Sequence, residues 1–360
     1  MNTITNQSMH SLEKLLVSRS LPVDPVLEVA RRYPFRVSGH ILKLLREPGD
    51  PLWCQVVPDP RELEDTQGWE DPLAEEVLSP VPYLVRRYPD RVLWLVSQRC
   101  AVHCRFCTRK RRWQNSSGMS TAEMEAGLAY LRKHREIRDV LLSGGDPLML
   151  PIGQLASILA SLRAIDHIEI IRIGTRVPGA APHRITRNLA MLLGRHAPLY
   201  INIHFNHPLE ITAEAMGACT RLADAGIPLG SQTVLLRDVN DDPEVLADLF
   251  KRLLRLRVRP YYLLQMDLTR STAHFRTPLA TGLHIIRALR NHISGLAIPQ
   301  LVLDLPGGHG KIPLVPRYVD RLVGDSIELT DFQDQSCVYP LLPGEAEALS
   351  EWLYGNQPDA

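Results

Sequence analysis

The chain lacks several features, and each absence narrows what it does. No run of about 18 apolar residues occurs, the length a helix needs to cross a bilayer. Charge of one sign is lacking too: 41 Lys and Arg stand against 40 Asp and Glu, for a net charge of +1. No global field therefore draws the chain to nucleic acid or to an anionic membrane. The first residues, MNTITNQSMHSLEKLL, have no basic segment leading into an apolar one. No secretory leader is expected, and the compartment reads as cytoplasmic and reducing. Cysteine is scarce, with six residues in 360. In a reducing compartment a cysteine cluster reads as a metal site rather than a disulfide framework.

Three of the six cysteines lie in one short loop, CAVHCRFC, spaced Cys100-x3-Cys104-x2-Cys107. Structural zinc normally takes four protein ligands, often as two separated pairs. Cys54, Cys219 and Cys337 form no second pair, and Cys219 falls in a helical pattern as a small core residue. Three thiolates suit a 4Fe–4S cluster with one iron left open. Two alternatives stand beside this reading: His103 as a fourth zinc ligand, or three cysteines that bind nothing.

Around the loop the chain alternates between strands and helices. RVLWLVS (91–97) reads as a strand ending just before the cysteines, and Ser120-x-x-Glu123 as a capping box opening a helix to about residue 135. Further strands are expected at 139–143, 168–173, 199–205, 228–236 and 260–266, with a seventh at 299–304. Helical patterns fall between them at 152–164, 185–195, 213–225, from Asp242-Pro243 onward, and at 280–293. Such alternation implies an α/β fold with a parallel sheet, and so many units in series imply a full or partial barrel.

The polar motifs share one placement. Gly144-Gly145-Asp146, Gly174-Thr175-Arg176, His204-Phe205-Asn206-His207, Gln232 and Asp267 fall at or near the C-terminal ends of strands, the active-site rim of parallel barrels. Singly, SGGDP reads equally as a turn, HFNHP as structural histidines, RRYPDR as a solvated turn, and RKRR (109–112) as a solvated charge run or nucleic-acid patch. PGGHGK fails as a phosphate loop, because Leu305 stands where that motif needs Gly and Ile312 where it needs Ser or Thr. In the first 70 residues, Leu12, Leu15, Leu16, Leu27, Val29, Ile41 and Leu44 are spaced for small helices, with Pro51 and Pro58 as breaks. This is expected to be a helical cap for packing or assembly.

CAVHCRFC resembles the CxxxCxxC loop of radical S-adenosylmethionine enzymes, and its neighbours resemble the lysine 2,3-aminomutase family. The likeness runs from about residue 70 to 318, through DPLAEEVLSPVPYLVRRYPDRVLWLVS, CTRKR, SGGDPL, RIGTRVP with PHRIT, INIHFNHP, QTVLLRDVND, RPYYLLQMDL, HFRTP and DLPGGHGKIPLVP. It implies a partial (β/α)6 TIM-like barrel at 86–298, preceded by an N-terminal helical extension at 1–85. A C-terminal segment at 299–360 would carry a cofactor lysine loop.

The resemblance also implies roles. Cys100, Cys104 and Cys107 would hold the 4Fe–4S cluster, whose open iron chelates S-adenosylmethionine. Ser143, Gly144, Gly145, His204 and Gln232 would face S-adenosylmethionine, the glycines allowing close backbone approach. Lys311 would carry pyridoxal 5′-phosphate, with Arg87, Tyr88 and Arg91 near its phosphate. Arg109 would hold the substrate α-carboxylate, and Asp267 and Asp304 the ε-ammonium of lysine.

The implied reaction is an isomerisation, the radical 1,2-amino migration that converts L-α-lysine to β-lysine. It would run in a homo-oligomer with a reducing partner such as flavodoxin or ferredoxin. A shorter branch supplying β-lysine for elongation factor P, a 2,3-aminomutase acting on arginine or a related amino acid, and a non-catalytic zinc or nucleic-acid-binding protein remain as alternatives. The sequence departs from the family in two places. His309 replaces a usual Gly, and the C-terminal tail holds only Cys337, so the structural zinc of longer members is not expected.

Overall fold

In the computed structural model, residues 2–114, 118–290, 292–331 and 333–354 are described. Nine strands form one sheet in chain order: β1 (Leu84–Val85), β2 (Arg91–Ser97), β3 (Asp139–Gly144), β4 (Ile170–Thr175), β5 (Leu199–Ile203), β6 (Leu229–Leu235), β7 (Val258–Gln265), β8 (Gln300–Leu305) and β9 (Gly310–Pro313). From β2 to β8 every pairing is parallel, while β1 and β9 add antiparallel edges. A parallel pairing needs a long crossover, and helices supply each one from β3 onward. The chain reaches β3 through the cysteine loop and helix Thr121–Lys133.

The helices begin where their caps dictate. Ser120 and Glu123 form a reciprocal capping box. Asp242 accepts from the backbone N–H of Glu244 and Val245, with Pro243 in the first turn. The helix that follows buries Leu246, Leu249, Phe250 and Leu253, one stripe at helical spacing, against the sheet. On the strands, Ile171, Ile173, Ile201 and Ile203 are fully buried.

The expected strands differ from the observed ones mainly at their ends. The strand anticipated from residue 168 starts at Ile170, because the N–H of Ile168 is still bonded to the Ile165 carbonyl in the preceding turn. His204 and Phe205 lie past the end of β5.

Among the described residues no strand pair joins β1 to β9, so the barrel is open. The two edges are instead laced by side chains and loops. The Tyr88 phenol accepts the Lys311 N–H at 3.0 Å, Arg87 Nη1 donates to Asp304 Oδ1 at 2.5 Å, and the Gly307 N–H donates to the Pro72 carbonyl at 2.8 Å. Residues 300–313 are thus continuous with the barrel sheet. A separate antiparallel sheet follows, β10 (Val319–Leu322), β11 (Ser326–Thr330) and β12 (Ser336–Pro340), and then helix Glu345–Tyr354.

The N-terminal segment forms short helices at Asn2–Val17, Asp24–Arg32, Gly39–Leu44, Pro51–Val56 and Arg61–Glu64. Pro51 opens a helix rather than breaking one, as its missing N–H permits in a first turn. Leu12, Leu16, Val29 and Ile41 are buried, and all but Val29 join the main hydrophobic core.

Candidate active site

The parallel strands surround a cavity of 650 Å³. Every residue that the sequence analysis assigned to metal, cofactor or substrate lines it, from Arg87 beside β1 to Lys311 on β9. The curl of the sheet creates this convergence, because it brings the two edges of the sheet within hydrogen-bonding reach of each other around one space.

The cysteine loop leaves β2 and folds back over the rim. Cys100, Cys104 and Cys107 all line the cavity. Burial and the neighbouring Cys107 and Asp146 push the Cys100 thiol well up, and burial pushes Cys107 up to about 11. Such thiols become thiolates readily only beside added positive charge. Arg176 supplies part of it, donating from Nη1 to Cys104 Sγ at 2.7 Å. Arg176 is itself held by Gln55 Oε1 at 2.6 Å and Glu210 Oε2 at 3.0 Å. His103 does not line the cavity. Its ring stacks on Trp113 at 4.4 Å and its Nδ1 meets the Pro34 carbonyl at 2.7 Å, which removes it as a zinc ligand at the cysteines.

The SGGDP turn packs against the start of this loop. Gly144 has φ +122°, a conformation open almost only to glycine, and a Cβ there would run into the Ser97 carbonyl. A Cβ on Gly145 would lie 2.5 Å from the Arg99 carbonyl. These glycines therefore also fit the turn to the cysteine loop, and both line the cavity. Asp146 accepts from the Thr175 hydroxyl and from the N–H groups of Arg176 and Leu148, while burial pushes its carboxyl up to about 6. SGGDP is thus more than a turn.

His204 lines the cavity, and burial with the Arg176 charge lowers it to about 4, so it is neutral at pH 7. His207 instead caps the turn at Pro208–Glu210, accepting from the Leu209 N–H. One histidine of HFNHP faces the site and the other is structural.

RKRR is no solvated run. The Arg109 fork grips Glu75, with Nε 2.9 Å from both carboxylate oxygens and Nη2 2.5 Å from Oε1, while Nη1 lies 3.3 Å from the Ser143 hydroxyl. Despite burial, the Arg109 guanidinium holds the Glu75 carboxyl below its ordinary range. Lys110 is buried, and Arg111 pairs with Asp71 at 2.8 Å. Across the cavity, Asp304 contacts both Lys311 Nζ and Arg87, and Arg91 lies over the Tyr88 ring at 3.8 Å. Asp304 therefore has two cations of its own chain as partners, which the sequence reading did not anticipate. Burial and the Asp304 charge push Asp267 up to about 7. His309 is exposed and does not line the cavity.

Comparison with known proteins decides the family. The family model described as Radical SAM superfamily matches residues 94–250, and that described as Lysine-2,3-aminomutase matches 286–351. The chain is 42% identical to L-lysine 2,3-aminomutase of Clostridium subterminale over 92% of its own length and 81% of that protein. The chain belongs to the lysine 2,3-aminomutase family. It is also 40% identical to L-lysine 2,3-aminomutase of Bacillus subtilis (strain 168), over 99% of this chain and 78% of the relative. Glutamate 2,3-aminomutase of Clostridioides difficile (strain 630) is 40% identical over 88% of this chain and 76% of the relative. Lysine 2,3-aminomutase family membership makes the chain an isomerase that uses a 4Fe–4S cluster, S-adenosylmethionine and pyridoxal phosphate.

The donor set fits those groups. Three thiols from one loop share the cavity, with the Arg176 guanidinium against one of them, and a cluster takes each thiolate on a separate iron. Lys311, with the arginines beside it, suits an aldehyde that carries a phosphate.

Sequence reasoning missed Glu75, Gln55, Glu62 and the role of Arg176. Glu75 stood in the quoted DPLAEEVLS stretch, but nothing local marks it off from its exposed neighbour Glu76.

Proposed function

We propose that the chain interconverts L-α-lysine and β-lysine. The observation that carries this is the polarity of the cavity: the Arg109 fork on the cysteine side, and two carboxylates, Asp267 and Asp304, beside Lys311. Lysine has complementary charge at its two ends. A planar fork suits its α-carboxylate. Its ε-ammonium offsets the mutual repulsion that raises Asp267.

The chain's own residues have distinct tasks in this reading. Cys100, Cys104 and Cys107 hold the cluster, and Ser143, Gly144, Gly145, His204 and Gln232 surround S-adenosylmethionine. Lys311 holds pyridoxal phosphate, with Arg87, Tyr88 and Arg91 at its phosphate. Asp304 Oδ2, in contact with Lys311 Nζ, orients that amine toward the cavity. When bound, the cluster with S-adenosylmethionine would supply a one-electron source of an organic radical, and pyridoxal phosphate would supply a conjugated π system on the amino nitrogen that delocalises an unpaired electron. Leu95, Leu141 and Leu264 wall the cavity and keep quenching water from the reacting carbons. A flavodoxin- or ferredoxin-type donor and a homo-oligomer complete the reading on family resemblance alone.

Glutamate is the competing substrate, given the similarity to a glutamate 2,3-aminomutase. It would set a third carboxylate beside Asp267 and Asp304, which neither can neutralise without taking up a proton. The test is anaerobic turnover of an equal mixture of lysine, arginine, ornithine and glutamate, after reconstitution with iron, sulfide, pyridoxal phosphate, S-adenosylmethionine and dithionite. β-Lysine as the main product supports the reading. A different β-amino acid overturns the substrate, and no product from a loaded protein overturns the reaction.

A further inference from the structure

Behind the cysteine loop, away from the cavity, lies a buried charge cluster that the reaction does not use. Glu62, on the short N-terminal helix Arg61–Glu64, has a fully buried side chain. Its two oxygens take Arg105 Nε at 2.8 Å and Nη2 at 2.7 Å, and Oε2 also takes Lys110 Nζ at 2.7 Å. Arg105 directly follows Cys104, and Lys110 stands three residues after Cys107. One carboxylate from outside the barrel thus grips the loop just after Cys104 and again just past Cys107.

Further bonds of the cluster lead to the N-terminal segment and to the stretch after β7. Oε1 of Glu62 accepts the Asp59 N–H at 3.0 Å, Lys110 Nζ donates to the Ser271 carbonyl at 3.0 Å, and the Arg105 guanidinium reaches the Tyr33 carbonyl at 3.3 Å. The loop backbone is held as well, by Arg105 N–H to the Gln55 carbonyl at 2.8 Å and His103 N–H to the Arg36 carbonyl at 2.9 Å. A loop of this kind has no strand or helix of its own to fix the directions of its thiols. Burying three charges to hold a surface cap would be poor use of free energy, since apolar side chains of similar volume often do as well. The directional bonds of a carboxylate to two cations, by contrast, fix a unique loop geometry.

We infer that Glu62 is a positioning residue for the cluster: through Arg105 and Lys110 it sets the place and direction of the Cys104 and Cys107 thiols. The N-terminal segment is then part of the metal site's support, not only a cap. This rests on the reading that Cys100, Cys104 and Cys107 hold the cluster.

The experiment compares full-length wild type with Glu62→Gln, the triple variant Glu62→Leu/Arg105→Met/Lys110→Met, and Leu131→Ala. The triple variant leaves no buried charge unpaired. Leu131→Ala is a core cavity in helix Thr121–Lys133, at a side chain that does not line the active-site cavity, and controls for lost stability alone. Each protein is reconstituted anaerobically with iron and sulfide. Measured are iron and sulfide per chain, the electron paramagnetic resonance spectrum of the reduced cluster, the rate of cluster loss to a chelator, and the melting temperature. Glu62→Gln and the triple variant are expected to lose the cluster about tenfold faster or more and to show an altered spectrum, while Leu131→Ala melts lower with wild-type cluster behaviour. If the folded triple variant holds its cluster with the wild-type spectrum and rate, the positioning role is overturned. Equal cluster loss in Leu131→Ala also overturns it, because general destabilisation then suffices. A wild type that takes up no cluster overturns the reading of the cysteines, and this inference with it.

Discussion

At the scale of residues, the site is governed by charges that share partners. Asp267 titrates at about 7 because it is buried beside Asp304. Only its ionised form attracts an ammonium, so lysine binds more tightly as the pH rises through about 7. Calorimetric titration of lysine into non-reduced protein should show this rise, and Asp267→Asn should flatten it; an unchanged slope in the variant would remove Asp267 from the substrate site. The sign for folding is opposite. A carboxyl raised in the folded state adds stability at acid pH, which is lost as the pH rises through about 7 without a bound cation. Arg109 grips Glu75 with one edge of its fork and reaches toward Ser143 with the other. Lysine at this position keeps the charge and loses the fork. Losing a charge-assisted bond worth roughly 1.5–3 kcal/mol, Arg109→Lys should raise KM for the amino acid about tenfold to a hundredfold, with kcat less affected; steady-state kinetics would show it.

At the scale of elements, glycines and caps decide where chain segments end. Gly144 ends β3 at φ +122° and lets the following turn press on the backbone of Ser97 and Arg99. Gly144→Ala should cost about 1–3 kcal/mol from backbone strain alone, with a further loss from the clash. Urea denaturation of the cluster-free protein would measure the cost, and equilibrium dialysis of S-adenosylmethionine with the reconstituted protein should show weaker binding. The capping residues Ser120 and Asp242 were legible in the sequence because a cap is a local event, complete within four residues. The start of β4 at Ile170 was not, since a turn bond from Ile168 to Ile165 and the pairing with Asp139 set it together, and the hydrophobic pattern shows neither.

At the scale of the whole molecule, the open barrel is closed by side chains rather than by a strand pair. Arg87–Asp304 and Tyr88–Lys311 tie the β1 edge to β8 and β9. Arg87→Met removes a charge-assisted bond of roughly 1.5–3 kcal/mol, and each 1.4 kcal/mol is about a tenfold change in an opening equilibrium. Hydrogen exchange at the amides of β9 and of 84–88 should then quicken about tenfold or more, while β3 to β6 stay protected; equal quickening throughout would mean that the lacing carries global stability.

The sequence by itself determined the order of elements, the α/β class, and the candidate site residues that family motifs mark. These are local patterns, in which hydrophobic period, capping residues and cysteine spacing each carry their meaning within a short window. Only the tertiary structure decided which charge meets which. That Glu75 faces Arg109, that Asp304 meets Arg87 and that Glu62 grips the cysteine loop from behind follow from contacts across tens to hundreds of residues. A carboxylate buried against a guanidinium and one free in water look the same in a sequence. Their difference is the cost of desolvation and the partner that offsets it, and the fold alone supplies both.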